Sequence, residues 1–178
     1  MVSVLVRILM VIAEDLFRDE EFAEPYKLFT GKGHRVTVVS TSLKVATGEL
    51  GMKVMPEATI DSVNPDDYDA ISIAGGDGTP IYLWPNKALH RAAQRIYDRG
   101  GVVGAICFAP VVLARAGMMA NRQCTVWVTP ESVQEIVSAG GRLQKEHVVV
   151  DGRIVTADGP EAAIDYGRAV LGLIEKVK

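Results

Sequence analysis

Residues 100–110 read GGVVGAICFAP, and this stretch decides the fold. The apolar, β-branched run over residues 101–107 predicts a buried strand, and Pro110 is typical of the first turn of a helix. Cys107 is therefore predicted to lie on a tight turn between a strand and a helix, the nucleophile elbow of hydrolases, although the G-x-S-x-G motif itself is absent. A thiol at this place lies near the positive end of the helix dipole, which predicts a lowered pKa and a reactive cysteine.

A second interpretation of Cys107 is an inert thiol in the core, because free cysteines are among the most buried residues in proteins. Cys124 has no position at such a turn, and we interpret it as a core residue. The chain has no CxxC pair and no cluster of cysteine and histidine, so neither a disulfide framework nor a metal site is predicted, and no cofactor is expected. This use of cysteine is typical of the reducing cytoplasm.

Outward from the opening stretch, short apolar runs alternate with longer segments of helical period. This alternation predicts an α/β fold of three layers, in which a mostly parallel sheet has helices on both faces. The predicted strands are residues 4–13, 35–40, 69–74 and 101–107, and a hairpin over residues 147–157. The predicted helices are residues 20–30, 86–98, 109–116, 130–139 and 161–177.

Three local features refine this assignment. Asp151 and Gly152 predict the two-residue turn of the last hairpin. Pro25 predicts a kink in the first helix or a later start of it, because proline cannot donate a backbone hydrogen bond. Residues 43–56 predict a small hairpin beside the main sheet, with Gly48 and Gly51 at its turn.

The composition indicates a single domain over residues 1–178. The chain has 178 residues, a formal net charge of −3 and 48% hydrophobic residues, enough for one sizeable core. Its basic residues form no stripe, so neither a nucleic acid nor an anionic membrane is an expected partner. The apolar opening is shorter than the roughly 20 residues that cross a bilayer, and it resembles no secretory leader.

Ligands of open parallel sheets bind beyond the carboxyl ends of the strands. The segments AEDLFRDEEF (13–22), AGGDGTP (74–80) and CFAP (107–110) follow three of the predicted strands, so we expect them to meet there. The backbone N–H of Phe108, and one from the turn of Gly75 and Gly76, are candidates to bind an oxyanion.

Three segments of the chain carry a resemblance to a known family. VVGAICFAPVVLARAG (102–117) resembles the cysteine-containing core of the ThiJ/PfpI superfamily, which includes the Parkinson-disease-associated deglycase, glutathione-independent glyoxalases and PfpI-type intracellular peptidases. NPDDYDAISIAGGDGTP (64–80) and VVVDGRIVTADGP (148–160) are similar to two further segments of that family. Glu21, four residues before Pro25, occupies the position of the family's acidic residue.

The resemblance implies a flavodoxin-like fold related to the glutamine amidotransferases. It implies that Cys107 is the nucleophile, that Glu21 is its largely protonated partner, and that the amides of Gly76 and Phe108 bind the oxyanion. The residue types alone leave another interpretation of Glu21 open, a solvated charge beside Glu20 and Glu24.

The chain departs from the family pattern at three positions. The peptidases have histidine directly after the cysteine, where this chain has Phe108. The deglycases have a histidine at the position of Trp127 and an arginine at that of Asp158. The predicted substrate pocket, which includes Gly75, Trp127 and Asp158, is thus more apolar at one position and more acidic at the other.

The resemblance implies a cysteine-dependent enzyme that acts on a small carbonyl substrate or a glycated protein through Cys107 and Glu21, of the glyoxalase or deglycase type. One alternative is a cysteine-based redox sensor or a stress-protective chaperone. Another is a PfpI-type cysteine peptidase or hydrolase, which Phe108 disfavours. The three histidines, His34, His90 and His147, are all predicted to lie far from the elbow. The resemblance also implies a homo-oligomer, a dimer or larger.

Overall fold

Twelve strands and six α-helices make up the part of the chain that the computed structural model describes, residues 4–177. The strands are β1 (Arg7–Val11), β2 (Asp15–Phe17), β3 (Arg35–Ser40), β4 (Ala46–Gly48), β5 (Lys53–Val54), β6 (Ala58–Thr59), β7 (Ala70–Ile73), β8 (Val102–Ile106), β9 (Gln123–Cys124), β10 (Arg142–Leu143), β11 (Val148–Asp151) and β12 (Ile154–Ala157). The helices are α1 (Asp19–Gly31), α2 (Thr79–Tyr82), α3 (Lys87–Asp98), α4 (Pro110–Arg115), α5 (Pro130–Ser138) and α6 (Ala163–Val177). Three short 3-10 helices cover Ile60–Ser62, Pro65–Asp67 and Pro160–Ala162.

Seven of the strands form the central sheet, in the order β11-β12-β8-β7-β1-β3-β6. All neighbours are parallel except β11 and β12, which form the predicted antiparallel hairpin. β3 and β7 lie on opposite sides of β1, so the direction of strand addition reverses there. Crevices at such a reversal, beyond the carboxyl ends of the strands, are where this architecture binds ligands.

Helices cover both faces of the sheet. α1 and α6 pack against each other, and α6 lies on β8 and β12; α3 lies on β7 and β8 and contacts α4. Strands covered on both sides bury every residue, as β7, β8 and β12 do. The predicted α/β class and three-layer arrangement are confirmed. Within residues 4–177, every helix is too short or too polar to cross a membrane.

The small hairpin predicted over residues 43–56 is confirmed as the antiparallel pair β4 and β5. Gly48 ends β4 rather than lying in the turn, which Gly51 occupies with a φ of +94°. The strand β2, which the sequence analysis did not predict, pairs with β4 and completes a separate three-stranded sheet. Asp19 fastens this sheet to α1, because its carboxylate accepts the backbone N–H groups of Leu50 and Met52, both at 2.9 Å.

Pro25 does not delay the first helix. α1 begins at Asp19, six residues before the proline, so the predicted late start is wrong. Proline interrupts only the hydrogen bond that its own nitrogen would donate, and the helix continues to Gly31 because Phe22, Pro25 and Phe29 are buried on its inner side. Tertiary burial thus outweighs the local preference of proline.

Gly104 tests the packing between β8 and α6. A Cβ there would overlap the Tyr166 hydroxyl, whose oxygen lies 2.8 Å from Ser72 Oγ inside the core. We expect Gly104→Ala to lower the free energy of unfolding by about 1–3 kcal/mol, the usual cost of overpacking a core. The measurement is equilibrium denaturation. Gly172→Ala is the control: apart from the chain neighbours and nearby backbone of its own helix, no atom lies within 4 Å of a Cβ there, so a small gain in stability is expected. An equal response of the two variants would contradict this account.

Candidate active site

Cys107 lies directly after β8, and its backbone adopts a left-handed conformation with a φ of +66°. Such a φ is strained for any residue other than glycine, so the surrounding structure must hold it. Two hydrogen bonds do so: the Cys107 N–H donates to the carbonyl of Ala157, and the Cys107 carbonyl accepts from the N–H of Trp127, both at 2.8 Å. Cys107 therefore lies on a tight turn between β8 and α4 that backbone hydrogen bonds hold on both sides.

Glu21 lies in the first turn of α1 and is fully buried. Its Oε2 accepts the backbone N–H of Gly75 at 2.8 Å, and its carboxyl group interacts with the Cys107 thiol. Oε1 is buried with no hydrogen-bond partner among the described residues. The alternative interpretation of Glu21 as a solvated surface charge is excluded by this burial.

Two glycines allow the close approach. A Cβ at Gly75 would lie 2.5 Å from Cys107 Cβ and 2.6 Å from Glu21 Oε2, so any side chain would separate the carboxyl from the thiol. Gly76 has a φ of +116°, and a Cβ there would lie 2.5 Å from the backbone nitrogen of Arg18. The turn after β7 must therefore be glycine at both positions.

The thiol also faces two backbone donors. The N–H groups of Gly76 and Phe108 both interact with Cys107 and favour its ionised form. They come from different segments, the turn after β7 and the first residue after the elbow. All five residues predicted at the centre of the site are thus brought together: Cys107, Glu21, Gly75, Gly76 and Phe108.

Burial sets the charge of both groups. It raises the pKa of Glu21 to about 8, against the smaller opposing effects of the Gly75 N–H and the Cys107 thiol. Burial, followed by the negative charge of ionised Glu21, also raises the pKa of Cys107, and the Gly76 and Phe108 N–H groups offset only part of the rise. The expectation of a lowered thiol pKa is therefore wrong, because α4 has only six residues and the thiol is 6% exposed.

A cavity of about 220 Å³ opens at the thiol. We call it the Cys107 cavity. Its walls are formed by residues from six segments: Arg18, Glu21, Glu49, Gly76, Asp77, Cys107, Phe108, Trp127 and Pro160. Of the three residues predicted for the substrate pocket, Trp127 lines this cavity and Gly75 does not. Asp158 does not either: it lines a neighbouring cavity, and its Oδ2 lies 2.8 Å from Nδ1 of His147.

Arg18 and Glu49 form a wall that the sequence analysis missed. The Arg18 guanidinium donates to Glu20 at 2.8 and 3.1 Å and to Glu49 Oε2 at 3.1 Å. Glu49 Oε1 in turn accepts the N–H of Asp77 at 2.7 Å. Glu49 lies between β4 and β5, so only the placement of the small hairpin brings it here.

Each of the three histidines lies outside the Cys107 cavity. Nδ1 of His34 lies 3.4 Å from the N–H of Val6, and His90 Nε2 lies 2.9 Å from the carbonyl of Trp84. His147 is exposed and lies in the neighbouring cavity with Trp127. A histidine base for a cysteine peptidase is therefore absent from the walls of this cavity among residues 4–177.

Cys124 is a free, fully buried thiol on β9, and burial raises its pKa to about 11, so its assignment to the core is confirmed. Within residues 4–177, no group of three or more histidine, cysteine, aspartate or glutamate side chains is placed to hold a metal ion.

Comparison with known proteins gives consistent results. Residues 6–173 match the model of the DJ-1/PfpI family. An uncharacterized protein of Methanocaldococcus jannaschii is 46% identical over 170 residues, 96% of this chain and 83% of that protein. The deglycase PfpI of Pyrococcus furiosus is 32% identical over 94% of this chain and 99% of its own length. The crystal structure of a ThiJ/PfpI domain protein from Brachyspira murdochii superimposes with a TM-score of 0.91 at 28% identity, covering 99% of this chain and all of that one. The flavodoxin-like fold is thereby confirmed, and the chain belongs to the DJ-1/PfpI family.

Proposed function

We propose that the protein is an enzyme that acts on small reactive carbonyl groups, of the protein deglycase or glutathione-independent glyoxalase type. The observation that carries this proposal is the buried contact between the Cys107 thiol and the Glu21 carboxyl, beside the N–H groups of Gly76 and Phe108. These are a nucleophile, an acid–base group and two oxyanion donors. Relatives named deglycase, which align over most of this chain, support the same class.

In the first step the Cys107 sulfur bonds to the aldehyde carbon of the substrate, and the carbon–oxygen π bond opens. The thiol proton moves to ionised Glu21 and then to the new alkoxide oxygen. The Gly76 and Phe108 N–H groups stabilise the charge that develops on that oxygen. The product is a hemithioacetal. On a glycated amine the sulfur displaces the amine, which leaves with the proton from Glu21, and the same hemithioacetal forms.

In the second step Glu21 takes the proton from the former aldehyde carbon while the ketone oxygen gains a proton, which gives an enediol. Glu21 then returns its proton to the former ketone carbon, and the hydroxyl on the former aldehyde carbon releases the proton that replaces the one taken up by the ketone oxygen. The first carbon is oxidised to a thioester while the second is reduced to an alcohol, so no external oxidant is needed. Water hydrolyses the thioester, releases a 2-hydroxy acid and restores the thiol; from methylglyoxal the product is lactate. A carboxyl with a pKa of about 8 suits both directions of transfer near neutral pH.

The alternatives have weaker support. A redox sensor is favoured by the two N–H groups and the protonated carboxyl, which would hydrogen-bond an oxidised Cys107. It is disfavoured because thiols are oxidised as thiolates, and burial raises the pKa of the Cys107 thiol, so less thiolate is present. A peptidase needs a base beside the cysteine and room for a peptide, whereas the Cys107 cavity has no histidine in its described walls and a volume of about 220 Å³. A cytoplasmic location and a homo-oligomeric state stay predictions.

Cys107→Ser tests the nucleophile. We expect the turnover of methylglyoxal to lactate to fall to the uncatalysed rate, because the serine hydroxyl is far less nucleophilic than the thiol. Lactate formation by purified protein is the measurement. Cys124→Ala, which removes the other free thiol, is the matched control and should keep the activity.

Equal rates for wild type and Cys107→Ser would refute the proposal. Treatment with less than one equivalent of hydrogen peroxide, followed by intact mass analysis, separates it from the sensor. A selective gain of two oxygens at Cys107 in a protein without carbonyl turnover would favour the sensor instead.

Glu21→Gln tests proton transfer. We expect kcat/KM to fall by about 10²–10⁴-fold, the usual contribution of general acid–base catalysis. In the wild type kcat/KM should rise with pH through about 8, because Glu21 must be ionised to accept the thiol proton. The glutamine variant should lack this step in its pH profile. A wild-type profile that is flat between pH 6 and 9 would contradict the assigned role.

The same substitution should stabilise the fold at high pH. The unfolded chain releases the Glu21 proton near pH 4.5 and the folded chain near pH 8, so the free energy of unfolding falls between these values. The side chain of Glu21→Gln does not titrate, so the variant lacks this fall. We expect its free energy of unfolding to exceed that of wild type by an amount that grows over this range to roughly 2–5 kcal/mol. Urea denaturation at pH 5 and pH 9 measures it.

Glu20→Gln is the matched control for this effect. Arg18 lowers the pKa of Glu20, so replacing Glu20 should reduce stability above pH 5 rather than increase it. A Glu21→Gln variant that is equally stabilised at pH 5 and pH 9 would show that Glu21 is not protonated in the folded protein.

A further inference from the structure

A second cavity lies beside the Cys107 cavity and shares two of its walls, Trp127 and Pro160. We call it the Trp127 cavity. Its volume is about 400 Å³, and its polar walls are the side chains of His147, Asp158 and Glu161. The backbone N–H of Trp127 donates to the Cys107 carbonyl, so the residue that carries the indole is hydrogen-bonded to the residue that carries the thiol. The Trp127 side chain is a wall of both cavities. A ligand that reacts at Cys107 therefore has only this side chain to pass before it reaches the Trp127 cavity.

The indole is held in place and keeps an accessible surface. Trp127 rests on the backbone of Gly159, where a Cβ would lie 2.8 Å from Trp127 Cε3, yet 47% of the residue is exposed. Its carbonyl accepts the Ser132 hydroxyl at 2.6 Å, which fixes the backbone on the other side. An exposed tryptophan with a fixed backbone is a preorganised surface for a flat or cationic group.

The walls of the Trp127 cavity carry two carboxylates, Asp158 and Glu161, and one histidine, His147, whose pKa is raised by its contact with Asp158 and further by the charge of Glu161. Asp158 uses Oδ2 toward His147 Nδ1, at 2.8 Å. Asp158 is thus paired with His147, whereas Glu161 acts on that histidine only through its charge. A planar guanidinium combines the two features that these walls complement, since it stacks on an indole and pairs with a carboxylate.

The adjoining Cys107 cavity holds the reactive groups. The Cys107 thiol and the buried Glu21 carboxyl, which interact with each other, both line it. The two cavities together thus present a reactive end and a cation-binding end.

We infer that the Trp127 cavity binds the guanidinium of an arginine that neighbours the modified residue in a peptide or protein substrate. This inference rests on the proposed function for the identity of the substrate, but the binding of a guanidinium can be measured without turnover. The indole of Trp127 and the carboxylate of Glu161 supply the recognition. The substrate class becomes glycated peptides with an arginine beside the modified side chain.

The binding experiment uses ¹⁵N-labelled protein and the two indole N–H resonances, from Trp84 and Trp127. N-acetyl-arginine amide is titrated in one sample and N-acetyl-citrulline amide, its neutral isostere, in another. We expect a saturable shift of the Trp127 resonance with arginine, binding about tenfold weaker with citrulline, and an unchanged Trp84 resonance. Trp127→Phe assigns the resonance.

Glu161→Gln should weaken arginine binding several-fold. Asp165→Asn is the matched control: it removes an exposed carboxylate one helical turn further on, where it pairs with Arg168, and should leave binding unchanged. Equal shifts with arginine and citrulline, or no shift of Trp127, would overturn the inference. A Trp127 resonance that moves with protein concentration alone would also overturn it, since a second copy of the chain would then cover the cavity.

A kinetic experiment connects binding to substrate choice. Two peptides carry a methylglyoxal hemithioacetal on cysteine, followed by arginine in one and citrulline in the other. We expect kcat/KM to be about tenfold higher for the arginine peptide, and this ratio to fall toward one in Glu161→Gln but not in Asp165→Asn. A ratio of one in wild type would refute the link to substrates. If neither peptide nor free methylglyoxal turns over while arginine still shifts Trp127, the proposed function fails and the guanidinium site stands.

Discussion

A carboxyl group buried against a thiol is the constraint on which the rest of the site depends. Glu21 comes from α1, Gly75 from the turn after β7 and Cys107 from the elbow after β8, and the three meet where the parallel strands end. Both groups are buried, so ionisation of either is unfavourable, and the negative charge of ionised Glu21 further opposes ionisation of the thiol. The resting thiol therefore keeps its proton, and in the proposed reaction the first event is the transfer of that proton to ionised Glu21 rather than attack by a free thiolate.

The parts of the fold that can be predicted are those with long buried runs. Strands β3, β7 and β8 follow directly from β-branched segments, and their C-terminal ends place Cys107 in the ligand-binding crevice. Strands of two or three residues, such as β2, leave no period in the sequence and were missed. Pro25 was misleading because its effect on the helix depends on what the helix buries.

The residues of the candidate site also fall into those that the local sequence predicts and those that it does not. The elbow could be recognised from local sequence, but Glu21 required the family resemblance, since a glutamate in a polar helix turn is ordinarily exposed. The direction of the Cys107 pKa shift could not be read from the sequence, because it depends on burial by residues that are distant along the chain, Trp127 and Pro160 among them. Asp158 was assigned to the Cys107 cavity for a similar reason. It lies instead in the Trp127 cavity, where it pairs with His147, and this pairing could not be read from the sequence.

The outer wall of the Cys107 cavity adjusts the central pair through charge. Negative Glu49 raises the pKa of Glu21 and positive Arg18 lowers it, and the two are joined by an ion pair of 3.1 Å at the cavity mouth. Asp19 fastens the hairpin that carries Glu49 to the first turn of the helix that carries Glu21. The distance between the outer carboxylate and the inner one is thus set by the fold itself. Any cationic group that enters beside Glu49 favours the ionised form of Glu21, and an anionic group opposes it. In the proposed reaction the charge of a substrate would therefore act on Glu21 as well as on binding, so that selectivity and proton transfer would be coupled.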